Sequence, residues 1–127
     1  MSITDISARN TAEVVRMALE QAEQYLSPSG SCSSRLYVAI RAADATRAWY
    51  AYPSPAAHAR LVQRLDDVKT VESTGVMLEN LPVGGLMQRG LSLAIHVAQA
   101  ALAGAEPSVE FVLDEARNVV RLAAREA

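Results

Sequence analysis

An all-α bundle of four or five antiparallel helices is the fold that this sequence predicts, and three observations lead to it. Alanine occurs 23 times in 127 residues and aromatic residues make up only 5%, so summed intrinsic propensity favours helix over strand. Apolar residues recur every three or four positions through most of the chain, the period of a helix with one buried face. Between these stretches stand Pro28, Ser54 with Pro55, Gly84 with Gly85, and Gly104 with Pro107, which serve as helix stops and starts. The length suits one domain spanning residues 1–127 and is too short for two independent cores.

The first helix is expected from Asn10 to Leu26. Asn10 and Glu13 have capping-box spacing, and Ala12, Val15, Leu19, Ala22 and Leu26 share one stripe. Glu13, Arg16, Glu20 and Glu23 fall on its other side as a solvated face. Residues 27–34, with five serines, Pro28, Gly30 and Cys32, read as a serine-rich loop. Residues 36–52 hold good strand formers at both ends and would suit a hairpin, but Ala42, Ala43, Asp44 and Ala45 offer no turn chemistry. A second helix is therefore preferred, with Leu36, Ile40, Ala43 and Tyr50 on one stripe opposite Arg41 and Asp44.

Ser54 as N-cap and Pro55 at the first helical position open a third helix through Leu61, Val62, Leu65 and Val68, interrupted near Thr74 and Gly75. A short turn around Val76 to Leu81 is expected before Pro82. From Leu86 to Ala103 nearly every residue is apolar or small, which places this fourth helix at the centre of the bundle or in an interface. After Gly104, a fifth helix starts at Pro107 or Ser108 and buries Val109, Val112, Leu113, Ala116, Val119, Val120 and Ala123. Its acids come first and its arginines last, the order that complements the helix dipole.

Composition narrows the function classes. A net charge of -2 argues against a dedicated nucleic-acid binder, and His96 and Gln99 interrupt the longest apolar run, so no membrane span is expected. Cys32 is the only cysteine, which removes intramolecular disulfides and thiolate-rich metal sites and suits a reducing compartment. Met1 to Asn10 lacks the pattern of a secretory signal, so a cytoplasmic location is the expectation.

Few residues suggest chemistry. Gln88, Ser92, His96 and Gln99 form a polar stripe on the apolar fourth helix. Facing the interior, Ser92, His96 and Gln99 would bind a small ligand or move a proton; facing water, they would be a solvent strip. His58 and His96 are far apart and lack partners at metal-ligand spacing, so neither a metal nor a cofactor is expected. Gly85, Gly90 and Ser92 imitate a phosphate loop, yet Leu91 stands where lysine is needed. Gly90, Ala94 and Ala98 read better as small residues permitting close helix approach. A helix-turn-helix over residues 61–81 would carry no basic residue on its reading segment. Cys32 has no activating neighbour in sequence. Trp49, Tyr50 and Tyr52 gather most of the aromatic surface and would anchor a protein partner if exposed.

The reading that follows is a non-catalytic protein-interaction module, an adaptor, inhibitor or regulatory subunit, and a homodimer that covers leftover apolar surface. The alternative is a small-molecule-binding protein or minor enzyme with its site around His96.

Overall fold

A computed structural model describes residues 8–26, 36–74 and 85–126. The expected serine-rich loop, Cys32, the turn around residues 76–81 and the Gly75 and Gly84 boundaries lie outside the described residues. Five helices make up the fold: α1 (Ala8–Leu26), α2 (Tyr37–Ala51), α3 (Pro55–Thr74), α4 (Gly85–Ala103) and α5 (Val109–Glu126). Among the described residues there is no strand, so 36–52 is helix and the hairpin alternative is excluded.

Local chemistry sets several ends. The Ser54 hydroxyl accepts the Ala57 amide at 3.0 Å, capping α3 as the sequence predicts, and the Ser108 hydroxyl accepts the Phe111 amide at 3.3 Å to cap α5. Gly104 closes α4 with φ at 68°, a conformation that costs glycine nothing. The start of α2 is held from another helix: the Leu36 amide donates to Glu23 Oε2 of α1 at 3.2 Å. The expected capping box is a correction. Ala8 and Arg9 are already helical, so Asn10 lies inside α1 and not at its N-cap, and Glu13 pairs with Arg16 one turn on and with Arg47 of α2.

Packing places α4 at the hub, in contact with each of the other four helices, while α1 lies between α2 and α5. Leu86, Met87, Leu91, Leu93, Val97 and Ala101 of α4 are buried, and Gly90, Ala94 and Ala98 are too. At Gly90 an added Cβ would stand 2.8 Å from Leu36 Cδ2 and 3.3 Å from Leu19 Cδ2, so the ends of two leucine side chains, one from α1 and one from the start of α2, close over this glycine of α4. The main core joins Val15, Leu19, Ala39, Val68, Leu91 and Val119 from all five helices, with Leu36 just ahead of α2; a smaller one gathers Ala45, Leu61, Leu65, Ala98 and Ala101.

Three stripe assignments shift, one of them in α5, which buries Val112, Ala116, Val119 and Ala123 but leaves Val109, Leu113 and Val120 half-buried. Val62 is 45% exposed, because α3 buries Leu61, Leu65, Val68 and Val71. In α2 the buried set is Ala39, Ala42, Ala43, Ala45 and Thr46, with Ile40 and Tyr50 half-buried. Small side chains suit a helix gripped by α1, α3 and α4 together, and Thr46 satisfies its hydroxyl by donating to the Ala42 carbonyl at 2.8 Å.

Candidate functional site

The polar stripe of α4 runs along the rim of the bundle: Gln88 and Gln99 are exposed, Ser92 and His96 half-buried. Two of its members tie helices together. Gln88 donates to Glu72 of α3 at 3.4 Å, and His96 Nε2 accepts the Ser108 amide at 3.2 Å while its ring packs on Phe111, with centroids 4.7 Å apart. An amide that would otherwise be orphaned at the start of α5 thus has a partner from α4. Burial holds the His96 imidazole below its ordinary pKa of 6.5, favouring the neutral form that this acceptor role requires. Near the other end of α4, Arg89 pairs with Glu115 of α5 at 3.0 Å.

The aromatic cluster is divided. Tyr52 is 83% exposed, whereas Trp49 and Tyr50 are half-buried against the smaller core, Trp49 meeting the His58 ring edge-on at 5.6 Å. Burial, reinforced by the Glu106 carboxylate, raises the pKa of Tyr50, whose hydroxyl is buried without a hydrogen-bond partner. Among the described residues no group of three histidine, cysteine, aspartate or glutamate side chains is arranged to hold a metal ion. None of the described helices is long and apolar enough to cross a membrane.

A mostly apolar groove lies elsewhere. None of the large hydrophobic side chains that remain exposed belongs to α4; they are Met17 and Tyr25 of α1, Tyr37 of α2, Tyr52 just after it, Val62 of α3 and Phe111 of α5. Met17 of α1 is 57% exposed. It overlooks a groove of about 440 Å³ walled by Val14 and Ala18 of α1 and by Leu113 and Val120 of α5. Gln21, Arg117 and Arg121 edge it. Along the adjoining face of α5 stand Glu110, Asp114, Arg117, Arg121 and Arg125, all exposed and on one side of the helix by their spacing. Among the described residues, the one ion pair within this row is a loose Arg117–Asp114 contact of 3.9 Å between neighbouring turns.

Sequence reasoning passed over Met17, although Val14, Met17, Ala18 and Gln21 show the i, i+3, i+4, i+7 spacing of a second stripe beside the buried one. An apolar arc wider than one neighbour can cover was the available signal. Comparison of the chain with protein-family models, curated proteins and solved structures finds no match.

Proposed function

We propose that this chain is a non-catalytic protein-interaction module whose contact face is the α1/α5 groove, and that a second copy of the chain occupies it. The carrying observation is the largely apolar groove under an exposed Met17, a kind of surface that soluble helices normally hide. Covering Met17 alone is worth roughly 1–2 kcal/mol on the scale of buried apolar side chains.

The charge row on α5 favours a copy of the same chain as occupant. Its acids, Glu110 and Asp114, lie toward the N-terminal end and its arginines, Arg117, Arg121 and Arg125, toward the C-terminal end. A two-fold axis running across α5 sets the two α5 helices antiparallel, so each acidic half meets the partner's basic half. A parallel arrangement would set arginine against arginine. The α1 side of the groove contributes Met17 and Gln21, which are neutral and indifferent to this choice. A homodimer built this way presents its remaining surfaces in duplicate, as an adaptor or regulatory subunit does.

Sedimentation equilibrium over about 1–300 µM tests the reading, the range in which a modest interface of this kind associates. Wild-type protein should pass from monomer to dimer, and Met17→Glu, a change at an exposed position, should remain monomeric with an unaltered helical circular dichroism spectrum. A wild-type monomer throughout, or a Met17→Glu dimer of undiminished affinity, would overturn it.

A further inference from the structure

Away from α1/α5, two adjoining cavities open between α2 and α3, of about 340 and 470 Å³, and both are lined by Arg41 and Arg64. The larger is polar and adds Arg60; the smaller is walled by Tyr37, Val38 and Val71. Helix geometry puts these side chains together: Arg60, Arg64, Asp67 and Val71 recur at helical spacing on α3, and Tyr37, Arg41 and Asp44 do so on α2.

Three arginines and three acids line the two cavities, but Glu20 and Asp44 are held by arginines outside them, which leaves Arg41 and Arg60 without a close counter-charge. Glu20 is held by Arg16 at 2.7 Å, Asp44 by Arg47 at 2.8 Å, and Asp67 by the Gln63 amide at 3.0 Å and more loosely by Arg64 at 3.6 Å. Among the described residues no carboxylate lies within ion-pairing distance of Arg41 or Arg60. Arg60 and Arg64 are four residues apart on one helix, a spacing at which like charges repel. Arg41 is braced, donating to the Tyr37 hydroxyl with its guanidinium carbon 5.1 Å from the centre of that ring. A braced guanidinium facing two others across a cleft is prearranged for an oxyanion, and the fork geometry of arginine suits phosphate and carboxylate alike.

We propose that this double cleft binds a small amphiphilic anion, a phosphomonoester or carboxylate whose head lies among Arg41, Arg60 and Arg64 and whose apolar body lies against Val38 and Val71. The head neutralises the arginine repulsion, and the apolar wall distinguishes such a ligand from a bare inorganic ion. This binding is independent of the α1/α5 pairing, because no residue that lines the cleft also lines that groove.

Titration of the full chain with phenyl phosphate, phenylacetate, inorganic phosphate and benzyl alcohol, followed by amide chemical shifts and calorimetry, tests it. At least one of the two organic anions should bind, with shifts centred on residues 37–45 and 60–71, and whichever binds tighter identifies the head group. Inorganic phosphate and benzyl alcohol should each bind at least about tenfold more weakly, and Arg41→Gln and Arg60→Gln should each weaken the organic anion about tenfold, the loss of one charge-assisted contact. Absence of shifts with every anion, shifts centred elsewhere, or equal affinity for inorganic and phenyl phosphate would overturn the proposal. Unchanged affinity in Arg60→Gln would do so too, because Arg60 is exposed and its loss leaves packing intact.

Discussion

Gly90→Ala sets two effects of opposite sign against each other at the point where three helices converge. Alanine in a helix interior is favoured over glycine by about 1 kcal/mol, so without tertiary contact the variant would be stabilised. The new methyl, however, would lie 2.8 Å from Leu36 Cδ2 and 3.3 Å from Leu19 Cδ2, the first roughly 1 Å inside a comfortable carbon–carbon separation. Both contacting atoms are ends of flexible side chains, but Leu36 and Leu19 are fully buried, so either can yield only by repacking against its core neighbours. Overpacking of this kind costs about 1–3 kcal/mol, leaving a net loss of about 1 kcal/mol, or a fall of about 4 °C in Tm for a chain of this size. A double-mutant cycle isolates the contact. Leu36→Ala alone should cost about 2–5 kcal/mol, and adding Gly90→Ala to it should be neutral or stabilising, a coupling of about 1–2 kcal/mol. Urea denaturation followed by circular dichroism, at one fixed protein concentration, measures all four corners. A single Gly90→Ala variant more stable than wild type by the full propensity gain, with no coupling to Leu36, would refute the close three-helix approach.

Acid should weaken the α4–α5 seam through His96. Its folded pKa lies below the ordinary 6.5 because of burial, so the stability it contributes is complete above pH 6.5 and is lost as pH falls through the lower folded value. Denaturation midpoints between pH 7.5 and 5 should therefore decline more steeply in wild type than in His96→Gln, and parallel slopes would count against the His96–Ser108 contact. Glu13, held below the ordinary 4.5 by its hydrogen bond to Arg16, contributes in the same sense but only in a more acidic window. Glu23→Ala should lower stability by about 1 kcal/mol through loss of the acceptor for the Leu36 amide, while Glu23→Gln, which keeps an acceptor, should recover most of it. Identical melting of the two variants would remove Glu23 as the link between α1 and α2.

What was legible in the sequence was what depends on near neighbours. Ser54 and Pro55 start α3 because a hydroxyl and a fixed φ act within one turn, and Gly104 ends α4 because the required backbone conformation is local. The apolar run after Leu86 placed α4 at the hub because no other segment is so poor in polar groups. Asn10 misled, since capping-box spacing also occurs inside helices, and here Glu13 pairs with Arg16 and Arg47. The facing of Gln88, Ser92, His96 and Gln99 was undetermined because spacing defines a face and not its neighbour; that His96 meets the Ser108 amide depends on how α5 docks. The arginine cleft was half visible: Arg60 and Arg64 share a face by their numbers alone, but Arg41 joins them only through the packing of α2 on α3.

Self-pairing through α5 is tested most directly by charge inversion. One variant carries Glu110→Arg and Asp114→Arg, giving an all-basic row; the other carries Arg117→Glu and Arg121→Glu, giving an excess of acid. Each alone should be monomeric by light scattering, because antiparallel copies then oppose like charges, and an equimolar mixture should form a one-to-one heterodimer. Dimers of either variant by itself, or a mixture that stays monomeric while wild type pairs, would contradict the antiparallel α5 interface.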